Sequence, residues 1–218
     1  MQLNPLIVLS EGPHHIAVYK PHNIATVGGR GVVRPTLLDL VRKLFGSQVY
    51  PVHRLDRVTA GITIFARSLF AKHALENAFK KRLVKKIYYA LCEGTPSFSK
   101  TTVTQSLKKV ALESKKGPLT RQSVDQSGQQ AITILHFLKQ YGPYCLIEAQ
   151  PLSGRFHQIR IHLAELSLPI IGDKLYGAKT MLAPHTIALA AVKISLPLPK
   201  RGRLDIDATK YFDVKNYI

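Results

Sequence analysis

Residues 51–61 read Pro-Val-His-Arg-Leu-Asp-Arg-Val-Thr-Ala-Gly. The one acid in this stretch, Asp56, lies between Arg54 and Arg57, and cationic neighbours favour the ionised form of a carboxyl group. An ionised carboxylate can act as a nucleophile, as a general base, or as a stabiliser of positive charge that develops at a sugar carbon. An ordinary ion pair is the structural alternative, and the stretch by itself leaves both open.

The charge of the chain indicates a polyanionic partner. Its 218 residues include 31 Lys and Arg but only 13 Asp and Glu, which gives a formal net charge of +18. Nucleic acid is the preferred partner, because the sequence shows no apolar run of membrane-spanning length, no signal-peptide layout over residues 1–10 and no lipidation motif. Binding to an anionic membrane surface is the alternative.

Apolar patterns along the chain predict an α+β fold. We expect three helices, from a cap at Thr36 to Gly46, from Phe70 through Leu83, and over residues 156–166. We expect strands over residues 16–20, 62–66, 87–93, 131–140, 144–149 and 187–196, and hairpin arms or mobile loops over the basic segment 97–130. Because strands and helices do not alternate regularly, the fold class is α+β, a largely antiparallel mixed sheet flanked by helices.

The length and the cysteine content fit one intracellular domain. A chain of 218 residues, of which 45% are hydrophobic, can bury a sizeable core in a single domain. Cys92 and Cys145 each lie in an apolar stretch and are expected to be reduced core thiols, which makes the cytoplasm the default location.

The stretch 51–61 resembles the signature of the RluA-type pseudouridine synthases, in which the aspartate of His-Arg-Leu-Asp is catalytic. Four other segments resemble the same family in the family's order. They are Val18-Tyr-Lys-Pro21, Lys86-Ile-Tyr-Tyr-Ala90, Pro151-Leu-Ser-Gly-Arg-Phe-His-Gln-Ile-Arg-Ile-His162 and Pro169-Ile-Ile-Gly-Asp-Lys-Leu-Tyr-Gly177. The resemblance implies one pseudouridine synthase domain over residues 1–218, with its core at about 8–197 and no separate N-terminal RNA-binding domain.

The resemblance also implies three catalytic residues. Asp56 would attack or stabilise the ribose anomeric carbon as the N-glycosidic bond of a uridine breaks, after which the freed uracil turns and rejoins through carbon. The basic residue that pairs with this aspartate falls on Arg160, and the tyrosine that packs on the base falls on Tyr88. By their own sequence context, Tyr88 could equally be a half-buried packing residue and Arg160 a surface charge on its helix.

Three further residues are expected to bind the substrate. Arg54 would hold the flipped-out nucleotide, because a stacked uridine must be extruded before its sugar can be reached. Arg155 and His157 follow Gly154 at the predicted start of a helix, where phosphate contact and simple N-terminal turn geometry are both reasonable.

The chain departs from the family pattern at three positions. Ala60 stands where serine is usual, Tyr19 where asparagine is usual, and Ala190 where histidine is common. None of these residues is assigned to the chemistry, so the departures concern packing and substrate choice.

Other functional classes lack their motifs. His157 and His162 are five residues apart, which suits metal binding on one helix face poorly, and His-Glu-x-x-His, Cys-x-x-Cys, Gly-x-Ser-x-Gly and Walker-type loops are absent. A non-catalytic RNA-binding protein on the same fold stays open. We expect an isomerase that acts as a monomer on ribosomal RNA, transfer RNA or both, without cofactor or metal.

Overall fold

The computed structural model of the chain describes residues 6–29, 31–112, 119–200 and 202–218. These residues form two compact units. Unit 1 contains those within Met1–Lys86, Pro184–Thr186 and Ala190–Asp213, and unit 2 contains those within Ile87–Ala183, Ile187–Leu189 and Val214–Ile218. The expectation of one domain over the whole chain stays a prediction.

Three α-helices, three short 3-10 helices (Lys174–Tyr176, Thr209–Tyr211 and Val214–Asn216) and eleven strands make up the regular structure of the described residues. The α-helices are α1 (Leu37–Phe45), α2 (Leu69–Lys80) and α3 (Gln158–Glu165). The strands are β1 (Ile7–Glu11), β2 (His15–Lys20), β3 (Tyr50–Pro51), β4 (Ala60–Ala66), β5 (Lys85–Glu93), β6 (Lys100–Leu112), β7 (Leu119–Val124), β8 (Gln129–Tyr141), β9 (Tyr144–Pro151), β10 (Leu189–Pro197) and β11 (Arg203–Asp207).

Unit 1 is a sheet covered by helices on both faces. Its strands follow the order β1-β2-β4-β10, with β3 paired to β4 and β11 to β10. Alternate residues of β2 point to opposite faces, so that Ile16 and Val18 pack with α1 while Ala17 packs with α2. Two covered faces explain why β2 and β4 are almost uninterrupted apolar runs.

The pairing of β4 with β10 is parallel, whereas β1–β2, β2–β4, β3–β4 and β10–β11 in unit 1, and β5–β9, β8–β9, β6–β8 and β6–β7 in unit 2, are antiparallel. It brings Gly61 beside Ala191, where a β-carbon on residue 61 would lie 2.3 Å from the Ala191 carbonyl oxygen. The φ angle of Gly61 is +116°, a conformation that other residues rarely adopt. Both facts require the glycine that ends the stretch 51–61.

Unit 2 is an antiparallel sheet with the order β5-β9-β8-β6-β7. Helix α3 packs on this sheet through Ile161, which contacts Leu107 of β6 and Ala131 of β8. Buried and more exposed residues alternate along β6 and β8, which is typical of an antiparallel sheet with one face covered.

The predicted α+β class and its largely antiparallel pairing are confirmed. Thr36 caps α1 as predicted, and it forms a capping box with Asp39. Helix α2 ends at Lys80 and not at Leu83, because Arg82 takes a φ of 59° and turns the chain out of the helix. The basic segment forms the hairpin of β6 and β7 in its described part.

Smaller corrections concern the ends of the chain and α3. Helix α3 starts at Gln158, two residues later than predicted, because His157 has a left-handed backbone. The C-terminal part holds β11, which is not among the predicted strands. Cys92 and Cys145 are buried and free, directly opposite each other on β5 and β9. None of the helices in the described ranges has the length and hydrophobicity to span a bilayer.

Candidate active site

Asp56 lies in unit 1, half-buried in the loop that joins β3 to β4. Its carbonyl oxygen accepts the N–H of Thr59 at 3.1 Å, which closes a turn around it. The preceding Leu55 is buried, and both its N–H and its carbonyl are bonded to the Thr26 hydroxyl, at 3.1 and 3.0 Å. The backbone on both sides of Asp56 is therefore fixed by hydrogen bonds.

Lys20 adds a buried cation beneath this loop. Strand alternation puts it on the α1 face of β2, where its side chain is fully buried. Its Nζ donates to the carbonyls of Pro21 and Ile24 at 2.9 Å each, and to that of Arg57 at 3.3 Å. Burial lowers the pKa of Lys20 to about 7, and the negative charge of Asp56 opposes this lowering. The Asp56 carboxylate therefore helps to keep Lys20 protonated.

His53 ties the start of the same loop to β4. Its Nε2 accepts the N–H of Ile64 at 2.9 Å, and its ring stacks on Phe79 with the centroids 4.7 Å apart. Burial, and then the positive charge of Lys86, lower the pKa of His53 to about 3. The imidazole is therefore neutral near pH 7, and its role is to hold the loop.

The far side of the loop is bonded to residues 22 and 23. The Nδ1 of His22 donates to the carbonyl of Val58 at 2.7 Å, and the Nε of Arg57 donates to Asn23 Oδ1 at 3.0 Å. Arg54, the predicted substrate-binding residue, is exposed. Its guanidinium, exposed on a loop whose backbone is fixed, is accessible to an anionic ligand.

Arg160, the predicted catalytic arginine, lies in unit 2 and is buried in α3, with 5% exposure. Its Nε and Nη2 donate to the two carboxylate oxygens of Asp173 at 2.6 and 2.7 Å. A bidentate pair of this kind fixes the plane of the guanidinium. The alternative that Arg160 is a surface charge is wrong, since the side chain points into unit 2.

The Tyr176 side chain contacts Arg160, Gln122 and His157. The Arg160 guanidinium carbon lies 5.0 Å from the centroid of the Tyr176 ring. The Tyr176 hydroxyl accepts the backbone N–H of Gln122 in β7 at 2.8 Å and lies 3.0 Å from His157 Nδ1. Burial and the charges of Arg160 and Lys109 lower the pKa of His157 to about 2, so this imidazole is neutral near pH 7.

The turn before α3 is held by Gln158, which is buried. Its Oε1 accepts the Ser153 hydroxyl at 2.8 Å and the N–H of Arg155 at 3.0 Å, while its Nε2 donates to Ile132 and Thr133 of β8. Arg155 in turn donates from Nε to the carbonyl of Gln130 at 3.1 Å. These bonds place Arg155 and His157 at a fixed turn on the sheet.

Tyr88 lies on β5, half-buried, opposite Ala149 of β9. It belongs to unit 2, together with Arg155, His157 and Arg160, whereas Asp56 and Arg54 belong to unit 1. The structure thus brings Arg155, His157 and Arg160 together around one helix start. The catalytic and binding roles of all six residues stay predictions.

Sequence reasoning gave no role to Lys20, Asp173 or Tyr176. All three lie in segments that resemble the family. For Lys20 and Asp173, the sequence context could have indicated a special role. Lys20 is a charge at the end of an apolar run, and Asp173 is an acid after an apolar run and a glycine. In the described part of the chain, no three His, Cys, Asp or Glu side chains cluster as metal ligands would.

Known proteins match most of this chain. A family model described as RNA pseudouridylate synthase matches residues 14–165. The protein named Pseudouridylate synthase RPUSD4, mitochondrial, from Xenopus tropicalis is 33% identical over 93% of this chain and 71% of its own length. Ribosomal large subunit pseudouridine synthase C from Rickettsia prowazekii is 35% identical over 80% of this chain and 57% of its own length. The chain thus spans little more than half of the rickettsial protein.

Two solved structures share the fold. Human RNA Pseudouridylate Synthase Domain Containing 1 matches with a TM-score of 0.79 and 23% identity, over 95% of this chain and 85% of that one. Human RNA Pseudouridylate Synthase Domain Containing 4 matches with a TM-score of 0.72 and 23% identity, over 92% and 87%. The family model and the two sequence relatives confirm the resemblance that began at residues 51–61, and the chain belongs to the RNA pseudouridylate synthase family.

Proposed function

We propose that this chain isomerises uridines in structured RNA to pseudouridine, with Asp56 as the catalytic carboxylate. The observation that carries the proposal is the fixed loop around Asp56. Hydrogen bonds between Leu55 and the Thr26 hydroxyl, and from the Thr59 N–H to the Asp56 carbonyl, hold the backbone on either side, and the Lys20 side chain lies beneath. A carboxylate carried by a backbone that is fixed in this way is preorganised for charge that develops at a sugar carbon.

The reaction moves one bond within the nucleotide. The N-glycosidic bond from N1 to the anomeric carbon breaks, the uracil turns, and a bond forms from its C5 to the same carbon. C5 loses a proton and N1 gains one, so atoms and electrons balance without an outside group. Asp56 would attack the anomeric carbon or stabilise its positive charge.

The other predicted residues have matching tasks. Exposed Arg54 would hold the extruded nucleotide, and Tyr88 would pack on the base or act on the ribose 2′ proton. Arg160, whose guanidinium plane is fixed by Asp173, would be the basic catalytic residue that the family resemblance implies. Arg155 and His157 would contact the RNA beside Arg160.

The proposed substrates are ribosomal RNA, transfer RNA or both. The rickettsial relative is named for the large ribosomal subunit, which supports the first of these. Single-stranded loops are the expected context, because their bases can be splayed out and recognised. We extend the proposal to a monomer that works in the cytoplasm.

The test is pseudouridine formation in unmodified transcripts of ribosomal and transfer RNA. We expect product from the wild type and none from Asp56→Asn, measured by mass spectrometry of nuclease digests. Asp205→Asn is the matched control, since Asp205 is an exposed acid on β11 of the same unit. Equal product from Asp56→Asn and the wild type would overturn the assignment of Asp56. Wild-type protein that binds RNA without forming product would indicate the non-catalytic alternative.

A further inference from the structure

Unit 2 carries a cluster of two cations and an aromatic ring beside Arg160. We infer that Lys109, Phe156 and Arg155 form a subsite for the phosphodiester backbone of an RNA strand. The inference rests on the proposed function, because it names the part of the substrate that this face of unit 2 would hold. Lys109 and Phe156 have no role in the reaction described above.

Lys109 is an exposed cation with a defined position. It lies on β6, and its Nζ is 5.1 Å from the centroid of the Phe156 ring. That ring is stacked in turn on His157, with the centroids 3.6 Å apart. A cation over an aromatic face is attracted by the ring quadrupole. Phe156 therefore restricts the lysine side chain, which otherwise loses much rotamer freedom when it binds a ligand.

Arg155 is the second positioned cation. Its Nε donates to the carbonyl of Gln130, and its backbone N–H donates to Gln158. These two bonds fix the direction of the side chain and leave the terminal guanidinium nitrogens for another acceptor. Guanidinium nitrogens in this fork geometry suit phosphate oxygens.

The two cations are held at neighbouring strands of one sheet, because Lys109 lies on β6 and Arg155, in the turn before α3, donates to Gln130 of β8. Gln130 of β8, which holds Arg155, is opposite Ser106 of β6, and Lys109 follows three residues along the same strand. Three residues of a strand span about 10 Å. Phe156, next to Arg155 in the chain, reaches Lys109 across this interval. A polyanion with repeated charges can contact both ends, which a single small anion cannot.

The surroundings of the cluster are positive as well. The charges of Arg160 and Lys109 both help to lower the pKa of His157, which lies between them. Asp173, the acid on the other side of Arg160, is buried and has both carboxylate oxygens bonded to that arginine. An RNA strand would thus meet a positive field on this face, and counterion release would favour its binding.

Lys108 provides a matched control in the same strand. It is adjacent to Lys109 and also exposed, but strand alternation puts it on the opposite face of the sheet. There its Nζ donates to Ser127 Oγ at 3.0 Å and lies 3.8 Å from the Asp125 carboxylate. Replacing either lysine removes one positive charge from the chain, but only the charge of Lys109 lies over the Phe156 ring.

The experiment compares Lys109→Gln with Lys108→Gln in RNA binding. The probe is a fluorescein-labelled RNA stem-loop with a uridine-rich loop, titrated by fluorescence anisotropy. We expect Lys109→Gln to weaken binding on the order of tenfold, since a charged hydrogen bond is lost. We also expect the slope of log K against log salt, between about 50 and 200 mM, to become shallower by about 0.7. Lys108→Gln should leave both quantities as in the wild type.

Phe156→Leu tests the role of the ring. It keeps every charge, so the salt slope should stay as in the wild type while binding weakens by roughly threefold, because the lysine is no longer held.

With wild-type enzyme and transcript as the reference, Lys109→Gln should raise KM and leave kcat unchanged, which a damaged active site would not do.

Equal changes in affinity and salt slope for Lys109→Gln and Lys108→Gln would overturn the subsite. If Phe156→Leu changed both the affinity and the salt slope as much as Lys109→Gln does, the positioning role of the ring would be overturned. Failure of the proposed function is seen separately, as the absence of pseudouridine in the wild-type reaction. The binding comparison stays informative in that case, because it needs no turnover.

Discussion

Ala60 and Ala190 lie directly opposite each other in the parallel pairing of β4 and β10, and both are buried. They are two of the positions at which this chain departs from the RluA-type pattern, where serine and histidine are usual. Residues that face each other across paired strands interact with each other. The two departures are therefore one change in packing at a single place in unit 1.

This pairing predicts that the two positions are coupled energetically. Ala190→His alone should lower the free energy of unfolding by about 1 to 3 kcal/mol, because it overfills a closed site. Ala60→Ser alone should cost about 1 kcal/mol through a buried hydroxyl. The double variant should lose less than the sum by on the order of 1 kcal/mol, as urea unfolding would measure. Additive losses would contradict the coupling.

Lys20 should titrate near neutral pH. Burial lowers its pKa from 10.5 to about 7, and the Asp56 carboxylate raises it. Asp56→Asn removes that opposing charge, so the pKa of Lys20 should fall further below 7. The 13C shift of the Lys20 Cε, followed by NMR from pH 5 to 9 in both proteins, measures this change. A Lys20 midpoint that is the same in both would show that the two groups do not interact.

His53 should make the protein sensitive to acid. Burial lowers its pKa in the folded chain to about 3, from the value of 6.5 that is usual for an exposed histidine. Between these values the unfolded chain binds a proton that the folded chain does not, so stability falls as the pH drops from 6.5 toward 3. His53→Gln keeps an acceptor for the N–H of Ile64 but does not titrate.

The slope of unfolding free energy against pH should therefore become shallower by about 1.4 kcal/mol per pH unit in His53→Gln. Urea unfolding at several pH values between 4 and 7 measures it. His73→Gln is the control, because His73 is exposed on α2. Equal slopes for His53→Gln and the wild type would show that the imidazole is protonated in the folded state.

Tyr176 should hold the β6–β7 hairpin through its hydroxyl. Tyr176→Phe removes the acceptor of the Gln122 N–H, which should cost about 1 to 3 kcal/mol locally. Hydrogen exchange at the Gln122 amide should then become faster. The Leu91 amide, which donates to Ala188, serves as the internal control and should keep its rate. Faster exchange at both amides would indicate a general loss of stability.

Local signals made parts of the fold predictable from sequence. The α1 helix was found because Thr36, Asp39 and Gly46 are its own start and end signals. Helical spacing continues past α2 to Leu83, but the left-handed Arg82 ends the helix, and spacing alone does not show this. Strand β11 was missed although Arg203–Asp207 alternates charged and apolar residues, the usual pattern of a half-buried strand.

The candidate site was less predictable, because its contacts join distant residues. The sequence indicates that Asp56, Tyr88 and Arg160 belong to one family pattern. It does not show that Arg160 pairs with Asp173, or that Lys20 donates to carbonyls 1, 4 and 37 residues away. Such partners depend on how the strands and loops pack, and no periodicity in the sequence records them.

The chain order of unit 1 has a consequence for synthesis. The core around Ile62 and Leu75 includes Ile194 and Leu196, which the ribosome adds more than a hundred residues later. Most of unit 2, from Ile87 to Ala183, is made in between. The nascent chain therefore contains strands β5 to β9, which pair with one another in unit 2, before it contains β10. We expect unit 1, with the Asp56 loop, to complete its core only as the C-terminal strands emerge.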